Sequence, residues 1–219
     1  MRATRSRPQV SSDGDDLAYV AAYFERSASL ARDLPVVALA DIIAVIDAAR
    51  AADRLVFVIG NGGSAATAAH FANDLGKGEG SMLAAPCRVV CLTDNVPLLT
   101  AWANDFGYVD VFANQLRSLC RAGDVVVAFS GSGNSDNVVN GLLMARERGA
   151  VTIGFTGFDG GRVRALVDHC FLVPIDDMQH VEDMHLLAAH VVYAALRDVH
   201  TPAVPRAIAT AKRLEVGAP

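Results

Sequence analysis

Two short runs of glycine and serine carry the clearest chemistry in this 219-residue chain. The first is Gly60-Asn61-Gly62-Gly63-Ser64. The second is Ser130-Gly131-Ser132-Gly133-Asn134-Ser135. Glycine turns the backbone sharply and lets a ligand come close to the amides. Serine adds a small hydroxyl donor. Each run follows an apolar stretch (Leu55-Val56-Phe57-Val58-Ile59 or Val125-Val126-Val127-Ala128-Phe129) and precedes a helical pattern. A helix that opens behind such a turn aims unpaired N–H groups and a partial positive charge at whatever lies there. The combination describes a pocket for a phosphate monoester, built from neutral donors and helix ends. Neither run is a dinucleotide fingerprint, because the third glycine is out of register, and no GxxxxGK[ST] is present.

The elements that must position these turns read as an alternation. Apolar spacing predicts helices over residues 17–32, 36–52, 64–75, 96–103, 108–120, 135–148 and 179 to about 198. Residues 55–59, 88–92, 125–129, 151–155 and 169–173 read as strands, each nearly continuous in apolar residues. Asn104-Asp105-Phe106-Gly107 reads as a break between two helices. Such strands alternating with helices imply a parallel sheet covered on both faces, hence an α/β fold of three α-β-α layers. Ligands in these sheets sit beyond the carboxyl ends of the strands, where both turns fall. The expected organisation is a flexible tail over residues 1–14, one domain over 15–198 and a C-terminal tail over 199–219, with a short helix at 207–214.

Composition excludes several classes. The chain is 52% hydrophobic and 20% charged, which is globular rather than disordered. Its formal net charge of −5 gives no electrostatic reason to expect nucleic acid. No apolar run reaches the ~18 residues of a membrane span. The basic start, Met1 to Pro8, is not followed by the apolar core of a signal peptide. Cys87, Cys91, Cys120 and Cys170 form no CxxC pair and lie in apolar surroundings, as expected of reduced thiols in a cytoplasmic protein.

The two turns together resemble those of the sugar isomerase (SIS) domain family. Four further segments resemble its phosphoheptose isomerase branch: His70-Phe71-Ala72-Asn73-Asp74-Leu75, Asn104-Asp105-Phe106-Gly107-Tyr108, Thr156-Gly157-Phe158-Asp159-Gly160-Gly161, and Glu182-Asp183-Met184-His185 running to His190. The resemblance implies a flavodoxin-like, five-stranded domain, with the N-terminal helices in an oligomer bundle. It implies a homotetramer with its sites between subunits.

It also implies roles. Ser64, Ser130, Ser132 and Ser135 would hold a sugar phosphate, with Gly62 and Gly63 at the first turn. Asn61 and Asn134 would orient the loops or touch the sugar. Asp94, Asn104 and Asp105 would line the substrate site, as would Glu182. A zinc or similar divalent ion would be held by His70, Asp74, Glu182 and His190. The spacing is compatible with this. His70 and Asp74 share a helix face at a separation of four, and Glu182 and His190 share one at eight. The donor set suits such an ion. Asp74 stands where the family has Glu, and Glu182 where it has Gln. The segment Leu75-Gly76-Lys77-Gly78-Glu79-Gly80 is less basic than its family counterpart.

The implied activity is aldose–ketose isomerisation of D-sedoheptulose 7-phosphate to D-glycero-D-manno-heptose 7-phosphate, with Asp74 and His190 as acid/base pair. The alternative is a non-catalytic SIS protein that binds a protein partner or a phosphosugar effector. The metal-capable residues argue against the first form of it, and the lack of a helix-turn-helix segment against the second. His180 and His200 are expected at solvated ends, and His185 as a group near the site or on the surface.

Overall fold

Five strands order themselves β2-β1-β3-β4-β5, all parallel. They are β1 (Leu55–Gly60), β2 (Arg88–Cys91), β3 (Val125–Ser130), β4 (Val151–Gly157) and β5 (His169–Val173). This is the doubly wound order whose ligand crevice lies where the winding reverses, between β1 and β3. The computed structural model describes residues 15–77 and 87–198. The expected tails, the helix at 207–214 and part of the segment after Lys77 lie outside them.

The chain divides into two units. The first holds α1 (Asp15–Arg32), a single helix that exposes Leu17, Tyr19, Val20 and Phe24. The second begins at Pro35 and holds everything else. In it, α2 (Val36–Ala51), α3 (Gly63–Lys77) and α8 (Met178–Asp198) pack together on one face of the sheet. The helices α4 (Val96–Phe106), α5 (Val111–Leu119), α6 (Asp136–Glu147) and α7 (Gly161–Leu166) form the other layer.

The central strands β1 and β3 are buried on both sides, so their side chains alternate between two dry faces rather than between core and water. Phe57, Ile59, Val126 and Ala128 join the core under α5 and α6. On the face toward α3 and α8, Phe129, Phe155 and Phe171 stand in register on three adjacent strands. Their rings lie 4.6 and 5.4 Å apart, and Phe71 of α3 meets Phe129 edge-on at 5.8 Å. This aromatic row fixes the end of β3 immediately before the second Gly/Ser turn.

Three elements differ from the sequence expectation. α4 continues through Asn104 and Asp105 to Phe106, so these two residues ride its last turn rather than a break. The stop is Gly107, at φ +91, where a residue with a side chain is strained. The expected helix over 108–120 splits into a 3-10 turn, Tyr108–Asp110, and α5. The six-residue α7 is too short for its pattern to stand out in the sequence.

Candidate active site

The first turn leaves β1 and enters α3, with Gly62 at φ +55. A Cβ at Gly60 would lie 2.5 Å from the Ser64 carbonyl oxygen, so the turn closes only on glycine there. Ala65 and Ala66 both donate back to the Gly62 carbonyl. The earlier amides of α3 have no partner within the helix.

The second turn is braced by the loop after β4. Gly157 donates to the Gly131 carbonyl at 2.8 Å, and Val163 donates to the Gly133 carbonyl at 3.0 Å. Gly133, at φ +62, has the Gly160 carbonyl in the space a side chain would need. The Asn134 side chain is spent inside the loop: Nδ2 donates to the Ser132 carbonyl at 2.9 Å and Oδ1 accepts from the Arg162 amide at 3.1 Å. Ser135 precedes α6 but makes no side-chain capping bond, which leaves its hydroxyl for a ligand.

Both turns face one cavity of about 270 Å³. Ser64, Ser130, Ser132 and Ser135 line it, with Gly62, Gly63 and the start of α8 at Met178 and Glu182. Among the described residues, no lysine or arginine lines it. The charged one is Glu182, whose carboxylate lies over the first turn: a Cβ on Gly63 would come within 2.5 Å of Oε2 and 2.6 Å of Oε1. The cavity therefore offers amides, hydroxyls and helix starts to an anion rather than fixed positive charge.

A second group of chemistry-bearing residues lies on α3 and α8, which pack against each other. His70 and Asp74 sit one turn apart on α3, with His70 Nε2 3.5 Å from Asp74 Oδ2. His190 of α8 brings its Nε2 to 3.1 Å from His70 Nε2. One ligand atom from each of the three lies within 4.8 Å of the others. Two imidazole nitrogens bound to one tetrahedral zinc at the usual bond lengths stand about 3.3 Å apart. The converging nitrogens, with a carboxylate beside them, thus fit a divalent cation, and the cluster is open to solvent at both histidines.

The structure thus brings together His70, Asp74 and His190, and separately the four serines with Gly62, Gly63 and Glu182. Glu182 lies against the first turn rather than within the three-residue cluster. Asp94, Asn104 and Asp105 are exposed and belong to neither set; Asn104 Nδ2 donates to Asp105 Oδ1 at 2.8 Å. Asn61 lines the cavity, but its carboxamide is held by Asn137 and Tyr108. Met178 carries no sequence signal linking it to the turns, and only the fold links Asn137, two residues past the second turn, to the first.

Two histidines depart from expectation. His180 is buried, not solvated: it lies on the inward face of α8 with Met184 and Ala188, its Nδ1 3.2 Å from Asp177 Oδ1. His185 is 1% exposed and packs against the stacked rings of Phe129 and Phe155, at 6.1 and 6.0 Å. Burial pushes its pKa down to about 4, against a smaller opposing pull from the Thr156 backbone. It is a neutral core group behind the second turn.

Comparison with known proteins agrees with this geometry. The family model described as "SIS domain" matches residues 19–157, more than half of the chain. The chain belongs to the SIS domain family. A phosphoheptose isomerase from Aquifex aeolicus is 38% identical over 154 residues, which cover 70% of this chain and 80% of that protein. A solved phosphoheptose isomerase from Neisseria gonorrhoeae superposes with a TM-score of 0.76 at 33% identity, over 82% of this chain and 97% of the other. One from Francisella tularensis gives 0.78 at 26% identity, over 83% and 98%. Within the family, the chain falls in the phosphoheptose isomerase branch.

Proposed function

We propose that this sugar-phosphate isomerase interconverts D-sedoheptulose 7-phosphate and D-glycero-D-manno-heptose 7-phosphate. The observation that carries the reading is the coexistence of two ends: a cationless cavity of turns and serines, and the His70–Asp74–His190 cluster further along the same two helices. The first suits a phosphate, and the second suits proton transfer at carbon and oxygen.

In this reading Ser64, Ser130, Ser132 and Ser135 hold the phosphate and fix the far end of the sugar, which turns the reaction at C1 and C2 into a positioned, unimolecular event. Asp74 removes the proton from one carbon and returns it to the other through an enediol. His190 moves the second proton between the two oxygens. His70, Asp74 and His190 would hold a zinc or similar ion, with Glu182, two turns before His190, as the fourth group offered by resemblance. When bound, the ion polarises the substrate carbonyl. Asp74 has both a ligand's and a base's position. Asp94, Asn104 and Asp105 are proposed as sugar contacts by resemblance, and the exposed apolar positions of α1 support an oligomer bundle.

The test is an assay of purified, metal-analysed protein on sedoheptulose 7-phosphate. The expected result is an aldoheptose 7-phosphate and a divalent metal in near-equal proportion to protein. A metal-loaded protein inert on seven- and six-carbon ketose phosphates overturns the reading.

A further inference from the structure

The segment Asn104 to Tyr108 carries part of the family resemblance, yet Tyr108 has no role in the chemistry above. The geometry gives it one. Asn61, in the first turn, and Asn137, one residue into α6, face each other through reciprocal hydrogen bonds. Asn61 Nδ2 donates to Asn137 Oδ1 at 2.8 Å, and Asn137 Nδ2 donates to Asn61 Oδ1 at 2.9 Å. The Tyr108 hydroxyl also donates to Asn61 Oδ1, at 2.8 Å. Both lone pairs of that oxygen are then used, and little of the carboxamide is left for a ligand. One turn further along α6, Asn140 Nδ2 donates to Asp110 Oδ1 at 2.9 Å and to the Val109 carbonyl at 3.3 Å. The 3-10 turn is therefore held to α6 at one end and to Asn61 at the other.

This placement matters because α6 opens directly behind the second Gly/Ser turn. Asn61 belongs to one wall of the phosphate cavity and Asn137 to the helix that ends in the other. Asn137 is 3% exposed, so its polar atoms have little water to turn to if Asn61 moves away. We propose that Tyr108 and Asn137 are positioning residues for the phosphate cavity: through the Asn61 carboxamide they hold the two turns at a fixed spacing and tie both to the segment that carries Asn104 and Asp105. Asn61 is the keystone of this clasp. The inference rests on the proposed phosphate-binding reading of the cavity.

A clasp that sets spacing contributes equally to ground and transition state, so its loss raises KM and leaves kcat in place. A merely structural contact would instead lower the melting temperature or the active fraction at unchanged KM. The variants are Tyr108→Phe, which removes only the hydroxyl, Asn137→Ala, and the pair. Each is measured for KM and kcat on sedoheptulose 7-phosphate, for the dissociation constant of inorganic phosphate by calorimetry, and for melting temperature. Tyr108→Phe is expected to weaken phosphate and raise KM about fivefold, the worth of one net hydrogen bond, with kcat within twofold. The double variant is expected to fall well short of the product of the singles, since both donors share one acceptor. Unchanged phosphate affinity and KM in Tyr108→Phe overturn the clasp. A wild type that binds phosphate but does not isomerise overturns only the proposed reaction, and one that binds no phosphate overturns both.

Discussion

The two ends of the site are made of different material. The proposed phosphate end is framed by backbone, set by the buried ends of β1 and β3 and braced by Gly157 and Val163 from the next loop. The cluster end is side chains, standing on the outer surfaces of two helices, with both imidazoles open to solvent. The contrast teaches that the backbone frame of the first end cannot be altered without altering the core, whereas its hydroxyls and the second end can be changed residue by residue. A family that keeps one fold and varies its sugars would change the second end first. Asp74 belongs to the cluster, whereas Glu182 lines the cavity.

The largest effect expected from this contrast is at the cluster. His190→Ala should lower kcat/KM by about a thousandfold, the scale of a lost acid/base group. With both proteins stripped of metal, its melting temperature should stay within about 2 °C of wild type, because an exposed side chain carries little stability. Turnover of the metal-loaded proteins and thermal unfolding of the stripped ones check both halves, and a large drop in melting temperature breaks the contrast. The phosphate end should instead fail with the core. His185 has a folded pKa of about 4 against an unfolded value of 6.5, so the unfolded chain binds the extra proton between these limits. Its neutral burial therefore contributes stability above pH 6.5 that is lost as pH falls toward 4, by roughly 3 kcal/mol. Urea unfolding from pH 7 to 4.5 should show that slope, and His185→Leu should flatten it. The smallest effect is the loss of one pocket hydroxyl. Ser64→Ala should raise KM about fivefold at constant kcat, with inorganic phosphate weakened in proportion. A fall in kcat instead would show the two ends to be less separate than their materials suggest.

The same contrast decided what could be read from the chain. The strands and both turns were legible because continuous apolar runs and glycine punctuation are local signals. The parallel sheet followed from the alternation of strands with helices. His70 and Asp74 were legible as a pair because one helix face carries both. His190, 120 residues away from His70, joins them only through the packing of α8 on α3, and the resemblance rather than any spacing named it. Asn61 was read, through the resemblance, as orienting its loop or touching the sugar. The fold shows its carboxamide turned toward α6, a contact 76 positions distant that no local pattern encodes. His180 was misread as a solvated end, whereas it shares the inward face of α8 with Met184 and Ala188, four and eight residues further on.

α3 and α8 both begin at the phosphate cavity and run together to the cluster. From Ser64 to His70 the axis advances about 9 Å at the normal helical rise. On the proposed reading, two stiff rods of fixed pitch act as a calliper, whose jaws would be an anion seat and a proton-transfer seat. Length of the carbon chain is then the first property such a calliper gauges, ahead of the configuration of any hydroxyl. A triose phosphate seated by its anion would leave its carbonyl stranded short of the histidines.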